Sequence, residues 1–397
     1  MISLKQKILI TNHTRVLGAK SQKMKKVGIV GGGQLGRMLI QAATDWNLEI
    51  HILDPDANAP CKDIAQRFVV AERTDAAAIY DFGKDLDVVT IEIENVSVEG
   101  LQRLADAGVE VYPQPNVIAT IKDKRLQKQF YLDNNIPTSP FILTENKADV
   151  EANVKFLPAF QKLGTGGYDG QGVQKLGGKE DLEKAFDAPG LLEKAVDIEK
   201  EISVIAARNK NGDIVTFPTT EMVFDPKYNL VDYLLSPAQV SPLIAAQAEA
   251  IAEKVILAYD MIGILAIEMF LTKDGNILVN EVAPRPHNSG HQTIEGNFTS
   301  QFQQHLRSIL NLPLGNTNIR TQSAMVNVIG ADGYKGDAHY EGTEKLFDID
   351  GAYLHLYGKK LTKPGRKMGH ITILEEDFDK LKEKIEVVKT SLIVKTK

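Results

Sequence analysis

Glu268 and Glu281 are the residues whose types and spacing most directly suggest chemistry. Between them the chain reads Glu268-Met-Phe-Leu-Thr-Lys-Asp274-Gly275-Asn-Ile-Leu-Val-Asn280-Glu281, two apolar runs around an Asp-Gly pair. Asp-Gly accepts the positive φ of a two-residue hairpin turn. With Asp274 and Gly275 as that turn, Lys273 faces Asn276 and the two glutamates come directly opposite. Facing carboxylates with Cβ atoms about 5 Å apart repel, and a divalent cation between them reverses the sign. Hard oxygen donors on two strands suit Mg²⁺, which keeps its other positions for water and phosphate. Alone, the pair reads more readily as two solvated acids on an edge hairpin, so the rest of the chain decides.

Other segments carry candidate chemistry. Lys162 precedes Gly164-Thr-Gly-Gly-Tyr168-Asp169-Gly170-Gln-Gly172, five glycines in nine residues. Such a loop can close its amides over phosphates, although no Gly-Lys-Ser/Thr follows and it is not a Walker loop. Leu191-Leu-Glu193-Lys194-Ala195-Val196 reads as a strand, with Glu201 opening the next. Upstream, Gly31-Gly-Gly33-Gln-Leu-Gly36 follows a strand, and Asp54 ends the next one, the pattern of a dinucleotide site. That pattern is less specific than it looks, because a glycine turn at a helix N-terminus attracts any anion. An NAD-dependent oxidoreductase is therefore the rival reading from another class. Tyr357-Gly-Lys359-Lys-Leu-Thr-Lys363-Pro-Gly365-Arg366-Lys367-Met-Gly-His370 is a basic run that on its own reads as a solvated turn.

The elements that must position these residues follow from periodicity. Strands at Val27–Val30, Glu49–Leu53 and Val88–Ile93 alternate with helices at Gln34–Trp46 and Val98–Ala107, which implies a parallel sheet. A smaller, Gly-rich unit holds a helix near Asp123–Asn134 and strands near Ala159 and Leu191. Longer strands, a helix at Pro242–Tyr259 and the glutamate hairpin come next. The expected class is α/β, with a Rossmann-like unit at 24–120, a small central unit at 121–197 and a larger mixed-sheet unit at 198–397. Residues 1–23 read as an extension, with Met24 standing directly before the first strand. The 397 residues, 43% hydrophobic and 25% charged, match an ordinary globular protein of two or three domains. The net charge of −6 argues against nucleic acid as the main partner, and no apolar run approaches a membrane span. Cys61 is the only cysteine, which excludes an intramolecular disulfide and fits a reducing cytoplasm.

Taken together, the lysine with its glycine-rich lid, the Glu-Lys-Ala-Val strand and the glutamate pair resemble the ATP-grasp superfamily. Within it, the chain resembles the 5-(carboxyamino)imidazole ribonucleotide synthase family. The matching segments are Gly31–Met38, Leu53–Cys61, Gly167–Gly170, Asn280-Glu-Val-Ala-Pro-Arg285-Pro-His287-Asn-Ser-Gly-His291 and Gly365–His370. The resemblance implies a three-domain ATP-grasp ligase that converts ATP, bicarbonate and aminoimidazole ribonucleotide, through carboxyphosphate, to the N-carboxylated ribonucleotide, ADP and phosphate. It also implies a cytoplasmic homodimer.

By resemblance, Glu268 and Glu281 hold Mg²⁺ with Asn280 beside them, and Lys124 and Lys162 meet the nucleotide phosphates. The lid residues Gly167, Tyr168, Asp169, Gly170, Gln171 and Gly172 cover those phosphates. Glu193, Lys194, Ala195 and Val196 line the adenine, and Glu201 takes the ribose hydroxyls. Arg285, His287 and Asn288 serve the γ-phosphate or carboxyphosphate, and Asp169 the substrate amine. Gln34, Leu35, Tyr168, Lys359 and Arg366 meet the ribonucleotide, the last two through its phosphate, since a dianion suits a guanidinium fork plus a point charge. Two departures stand out: Leu163–Gly166 lacks expected basic residues, and Phe224 stands where relatives can carry a histidine. The nearest alternatives within the superfamily are a formate-using purine ligase or a biotin-carboxylase-like enzyme.

Overall fold

A computed structural model describes residues 24–166, 172–228 and 230–397. Residues 1–23, read above as an extension, and the lid candidates Gly167, Tyr168, Asp169, Gly170 and Gln171 lie outside the described residues.

The chain begins with a five-stranded parallel sheet in the order β3-β2-β1-β4-β5: β1 Lys26–Val30, β2 Glu49–Asp54, β3 Arg67–Val70, β4 Val88–Ile91 and β5 Glu110–Val111. Its inner strands are mostly apolar and, beyond the first residues of β1 and β2, buried, as strands covered on both faces must be. Helix α1 (Gln34–Thr44) packs on one face, while α2 (Ala76–Gly83) and α3 (Val98–Asp106) pack on the other. β4 stops at Ile91, two residues before the expected Ile93, because Glu92 turns its carboxylate onto the start of α1.

Helices α4 (Pro115–Lys122) and α5 (Lys124–Asp133) lead into a four-stranded sheet ordered β6-β9-β7-β8, with β6 Phe141–Thr144, β7 Ala159–Leu163, β8 Val173–Leu176 and β9 Gly190–Lys194. Asp123 caps α5 by accepting from the amide of Arg125 at 2.9 Å. The core of this sheet is small: Val150 of α6 (Lys147–Ala152), Ala159, Leu176, Ala185 and Leu192.

The third assembly is a nine-stranded sheet, ordered β15-β14-β10-β12-β13-β16-β21-β19 with β11 beside β10. Its strands are β10 Ile198–Arg208, β11 Ile214–Thr216, β12 Thr220–Asp225, β13 Leu230–Ser236, β14 Gly263–Thr272, β15 Ile277–Ala283, β16 Ser323–Ile329, β19 Ala352–Leu356 and β21 Lys367–Leu374. Short pairings of β17 (Gly336–Asp337) with β20 (Leu361–Thr362), and of β18 (His339–Glu341) with β22 (Ile393–Lys395), trim its far end. Helix α7 (Pro242–Ala258) buries Ala248, Ala252, Val255 and Ile256 against β10, β14 and β15, with α4 and α5 closing that core. After the short α8 (Thr293–Gly296), α9 (Gln301–Ile309) sets Phe302, Leu306 and Ile309 against α1 and so binds the first sheet to the third. A buried hydrogen bond between Thr90 Oγ1 of β4 and His305 Nε2 of α9, 2.9 Å long, makes the same join. Beyond α10 (Thr343–Leu346), α11 (Phe378–Ser391) covers β16 and β21. Among the described residues no helix is long and apolar enough to cross a membrane.

Candidate functional site

The glutamate hairpin forms, by a different route from the one expected. The turn is not the two residues Asp274–Gly275 but three, Lys273–Asp274–Gly275. Thr272 donates to Asn276 O at 2.9 Å, and Gly275, at φ +82°, donates to Thr272 O at 2.8 Å. A type I turn closed by a left-handed glycine needs that third residue, and the Thr272 hydroxyl favours it by accepting from the Asn276 amide at 3.0 Å. The register next to the turn is therefore one residue off, with Met269 opposite Val279. Asn280 then enters β15 as an extra residue, and this bulge restores the register so that Glu268 lies opposite Glu281.

The bulge also aims side chains. Consecutive strand residues ordinarily point to opposite faces, and a bulge breaks that alternation. Here Asn280 Oδ1 accepts from Lys162 Nζ at 3.0 Å while Glu281 Oε2 accepts from Lys124 Nζ at 2.7 Å. Neighbouring residues thus meet two lysines that come from β7 and α5. Both lysines are held: the Lys124 amide donates to Gly164 O at 2.8 Å, and Lys162 Nζ also lies 2.9 Å from Glu193 Oε2.

Charge divides the two acids. Burial pushes the Glu268 carboxyl up, and Glu281 and Glu201 push it the same way. Lys124 holds Glu281 well below the usual range against the effect of burial. Glu201 on β10 is raised to about 7 by burial and by Glu281, with Lys162 opposing. Two of these three carboxyls are pushed toward their neutral forms, a repulsion that a divalent cation between Glu268 and Glu281 would relieve. Among the described residues no three His, Cys, Asp or Glu side chains form a self-contained metal site. Glu268 and Glu281 would therefore hold Mg²⁺ by two positions and leave the others to phosphate and water.

Arg285 and His287 follow β15 directly. His287 Nε2 lies 3.2 Å from Glu268 Oε1, and its Nδ1 accepts from the Ser289 amide at 3.3 Å, with the Ser289 hydroxyl 2.9 Å away. Burial, Arg285 and Lys367 push this imidazole down to about 3, so it is neutral. With Nδ1 accepting, the proton sits on Nε2, the ring nitrogen nearer Glu268. Arg285 Nε pairs with Glu94 Oε1 at 2.9 Å, a contact reaching back to the end of β4. Asn288 turns elsewhere: its amide and that of Asn327 bond each other reciprocally, both at 3.0 Å.

The adenine candidates split. Both Glu193 oxygens are engaged by lysines, Lys128 at 3.1 Å and Lys162 at 2.9 Å. Lys194 reaches back to Phe156 O at 2.8 Å, which leaves the half-buried Ala195 and Val196 as the lining nearest that strand's end. Gly172, at φ +76°, closes β7 onto β8 through the Leu163 amide at 2.9 Å. Phe224 packs into a core with Met222, Val231, Leu234 and Met325. Where Leu163–Gly166 lacks a basic residue, Arg125 of α5 comes close: a Cβ at Gly164 would lie 2.8 Å from its Nε.

In the basic run, Lys359 Nζ donates to Lys367 O at 2.7 Å and Arg366 Nη1 to Leu361 O at 2.9 Å, and the loop is pinned by Gly365 donating to Gly330 O at 3.0 Å. Gln34 is half-buried at the start of α1, whereas the Leu35 side chain belongs to the core. The glycine turn that precedes them does not offer the amides a dinucleotide needs. Glu92 accepts from Gly33 and Gly36, each at 3.0 Å, and Asp54 accepts from Gly32 at 2.8 Å. A Cβ at Gly31 would lie 2.4 Å from Glu92 Cγ, so glycine is required there by the protein's own carboxylate. The sequence reading missed Glu92, Glu94, Lys128 and Lys367. Nothing local marks them, since each acquires its role through a partner distant in the chain.

Comparison with known proteins identifies the family. The ribonucleotide synthetase preATP-grasp domain family matches residues 24–122, the ATP-grasp domain family 129–302, and the phosphoribosylaminoimidazole carboxylase C-terminal domain family 323–384. N5-carboxyaminoimidazole ribonucleotide synthase of Brucella melitensis is 38% identical over 87% of this chain and 95% of its own. The crystal structure of N5-carboxyaminoimidazole ribonucleotide synthetase from Thermotoga maritima superposes with a TM-score of 0.87 at 40% identity, covering 94% of this chain and all of that one. The Aspergillus clavatus N5-carboxyaminoimidazole synthase, solved with ADP and 5-aminoimidazole ribonucleotide, gives 0.84 at 33% identity over 92% of this chain and 98% of that one. The lysine-and-carboxylate cluster at β15 and the closed glycine turn thus stand in a chain that belongs to the N5-carboxyaminoimidazole ribonucleotide synthase family of ATP-grasp ligases.

Proposed function

We propose that this protein carboxylates the exocyclic amine of 5-aminoimidazole ribonucleotide with bicarbonate, converting ATP to ADP and phosphate, as a step of purine biosynthesis. The observation that carries the reading is the bulge at Asn280, which turns Asn280 and Glu281 together toward Lys162 and Lys124. Two cations and an acid pair on one face are what a polyphosphate with its counter-cation needs.

A bicarbonate oxygen attacks the γ-phosphorus, the bond to the bridging oxygen breaks, and ADP leaves with that electron pair. The ribonucleotide amine then attacks the carboxyl carbon of carboxyphosphate, phosphate departs, and the amine loses a proton. Lys124 and Lys162 hold the phosphates in line. Arg285, oriented by Glu94, faces the oxyanion that passes between the two steps, where a guanidinium stabilises spread charge. Neutral His287 stands beside Glu268, its Nε2 3.2 Å from Oε1, and adds no second positive charge there. Mg²⁺ held by Glu268 and Glu281 would neutralise phosphate charge. Asp169, by resemblance, remains the candidate to take the amine proton, and Tyr168, Gln34, Lys359 and Arg366 the candidates to hold the ribonucleotide. The units at 24–120, 121–197 and 198–397 would act as three domains with ATP between the second and third. A homodimer in the cytoplasm completes the reading, with the buried thiol of Cys61 suited to a reducing compartment.

The test is ADP release with ATP, Mg²⁺, bicarbonate and aminoimidazole ribonucleotide, omitting each in turn. Release strongly stimulated by the ribonucleotide and dependent on bicarbonate is expected. Release indifferent to the ribonucleotide would reassign the acceptor and with it the basic run at Lys359–Arg366.

A further inference from the structure

A second lysine stands behind Lys162. Lys128, on α5, is only 2% exposed, as is Glu193 of β9, and its Nζ lies 3.1 Å from Glu193 Oε1. It also donates to Thr138 Oγ1 at 2.5 Å and lies 3.5 Å from Val279 O. Thr138 in turn donates to Val279 O at 2.6 Å, immediately before the Asn280 bulge. The other Glu193 oxygen holds Lys162 at 2.9 Å, and Lys162 reaches Asn280 at 3.0 Å. The order is lysine, glutamate, lysine, cleft.

Desolvating an ion costs several kcal/mol, so a purely structural pair would end with one lysine on Glu193. The second adds a buried charge and leaves the group with a net positive one. We propose that Lys128 is a positioning residue for the nucleotide: by sharing the Glu193 carboxylate it keeps Lys162 a net cation toward the cleft instead of a neutralised half of a Lys–Glu pair. The proposal rests on the reading that Lys162 meets the ATP phosphates. Burial pulls Lys128 down to about 8 and Glu193 opposes it, which leaves the ammonium charged at neutral pH. Burial pushes Glu193 up, but Lys162 and Lys128 hold it below its ordinary value.

The experiment compares Lys128→Met, Lys128→Arg, the double variant Lys128→Met with Glu193→Met, and Lys162→Met, reading kcat and the KM of ATP and of the ribonucleotide separately. Lys128→Met is expected to raise the ATP KM by about tenfold or more, the scale of one charge-assisted hydrogen bond, with the ribonucleotide KM unmoved. Lys128→Arg, which keeps the charge, should stay near the parent. In the double variant the buried charges leave together and Lys162 is no longer neutralised, so the ATP KM should fall below that of Lys128→Met, short of the parent's value because Lys162 has lost its Glu193 anchor. This double variant also serves if Lys128→Met does not fold, since replacing a whole buried pair by apolar residues is commonly neutral for stability. An unchanged ATP KM in Lys128→Met, or a double variant as impaired as or worse than the single, would overturn the proposal. If Lys162→Met keeps the parent's ATP KM, the assignment of Lys162 to the phosphates fails instead.

Discussion

Glu92 and Glu281 are both held by partners from elsewhere in the chain, yet one is closed off and the other is partly exposed. Glu92 is 9% exposed and gives both oxygens to backbone amides of the α1 turn. Amides at a helix start are fixed and cannot exchange partners, so the site is complete without a ligand. The Glu281 side chain is 42% exposed and is answered by a lysine, with Glu268 opposite it. Charges on flexible stems can regroup around an incoming phosphate or cation. A glycine-rich turn that looks built for an anion is thus a finished piece of structure, while an acid pair on a hairpin is the unfinished site.

This contrast can be broken most forcefully at Glu281. Glu281→Gln should lower kcat roughly 10²–10³-fold, the scale of removing one preorganised electrostatic contact, with a melting temperature near the parent's. ADP-release kinetics beside thermal melts check both halves. Arg366→Met comes next, raising the ribonucleotide KM about 10–100-fold and leaving the ATP KM in place; steady-state kinetics in both substrates decide it. Glu92→Gln should do the reverse of Glu281→Gln. Its amide group opposes one of the two N–H donors, costing about 1–3 kcal/mol of stability in denaturant titration, while the ATP KM holds.

A smaller effect sharpens the electrostatics. Glu201 is raised to about 7 by burial and Glu281, so between its unfolded value and pH 7 the native state binds the extra proton. Stability of the ligand-free protein therefore falls as pH rises through that window, with a slope from this group of no more than about 1.4 kcal/mol per pH unit. Glu201→Gln should flatten the curve; equal slopes in both proteins would remove the group from the account. The smallest expected effect is none at all. NAD should not shift the melting temperature, whereas a ligand at 100 times its Kd adds about 2.7 kcal/mol.

The hairpin shows how far sequence reasoning reached. Asp274–Gly275 correctly marks a turn between apolar runs, and Glu268 does face Glu281. The two-residue turn is wrong, because Thr272 favours a three-residue loop, and the bulge at Asn280 cancels that error. Neither irregularity is visible as a residue pattern, since bulges answer to what the strand must face. The parallel sheet, with strands at Val27, Glu49 and Val88, was legible because inner strands of such sheets are short, largely apolar runs that alternate with helices. Asn288 was read toward the reacting phosphate, whereas its amide is paired with Asn327, thirty-nine positions away.

By itself the sequence determined the local structure: which runs alternate, where glycine permits a turn, and which short motifs align with a known family. These depend on residues within one or two turns of each other. Only the tertiary structure decided which charges meet. Lys124 and Lys128 of α5, Lys162 of β7, Glu193 of β9 and Asn280 with Glu281 of β15 come from four elements spread over more than 150 positions. Electrostatic interaction depends on distance and burial in space, and neither is written in the spacing of residues along the chain.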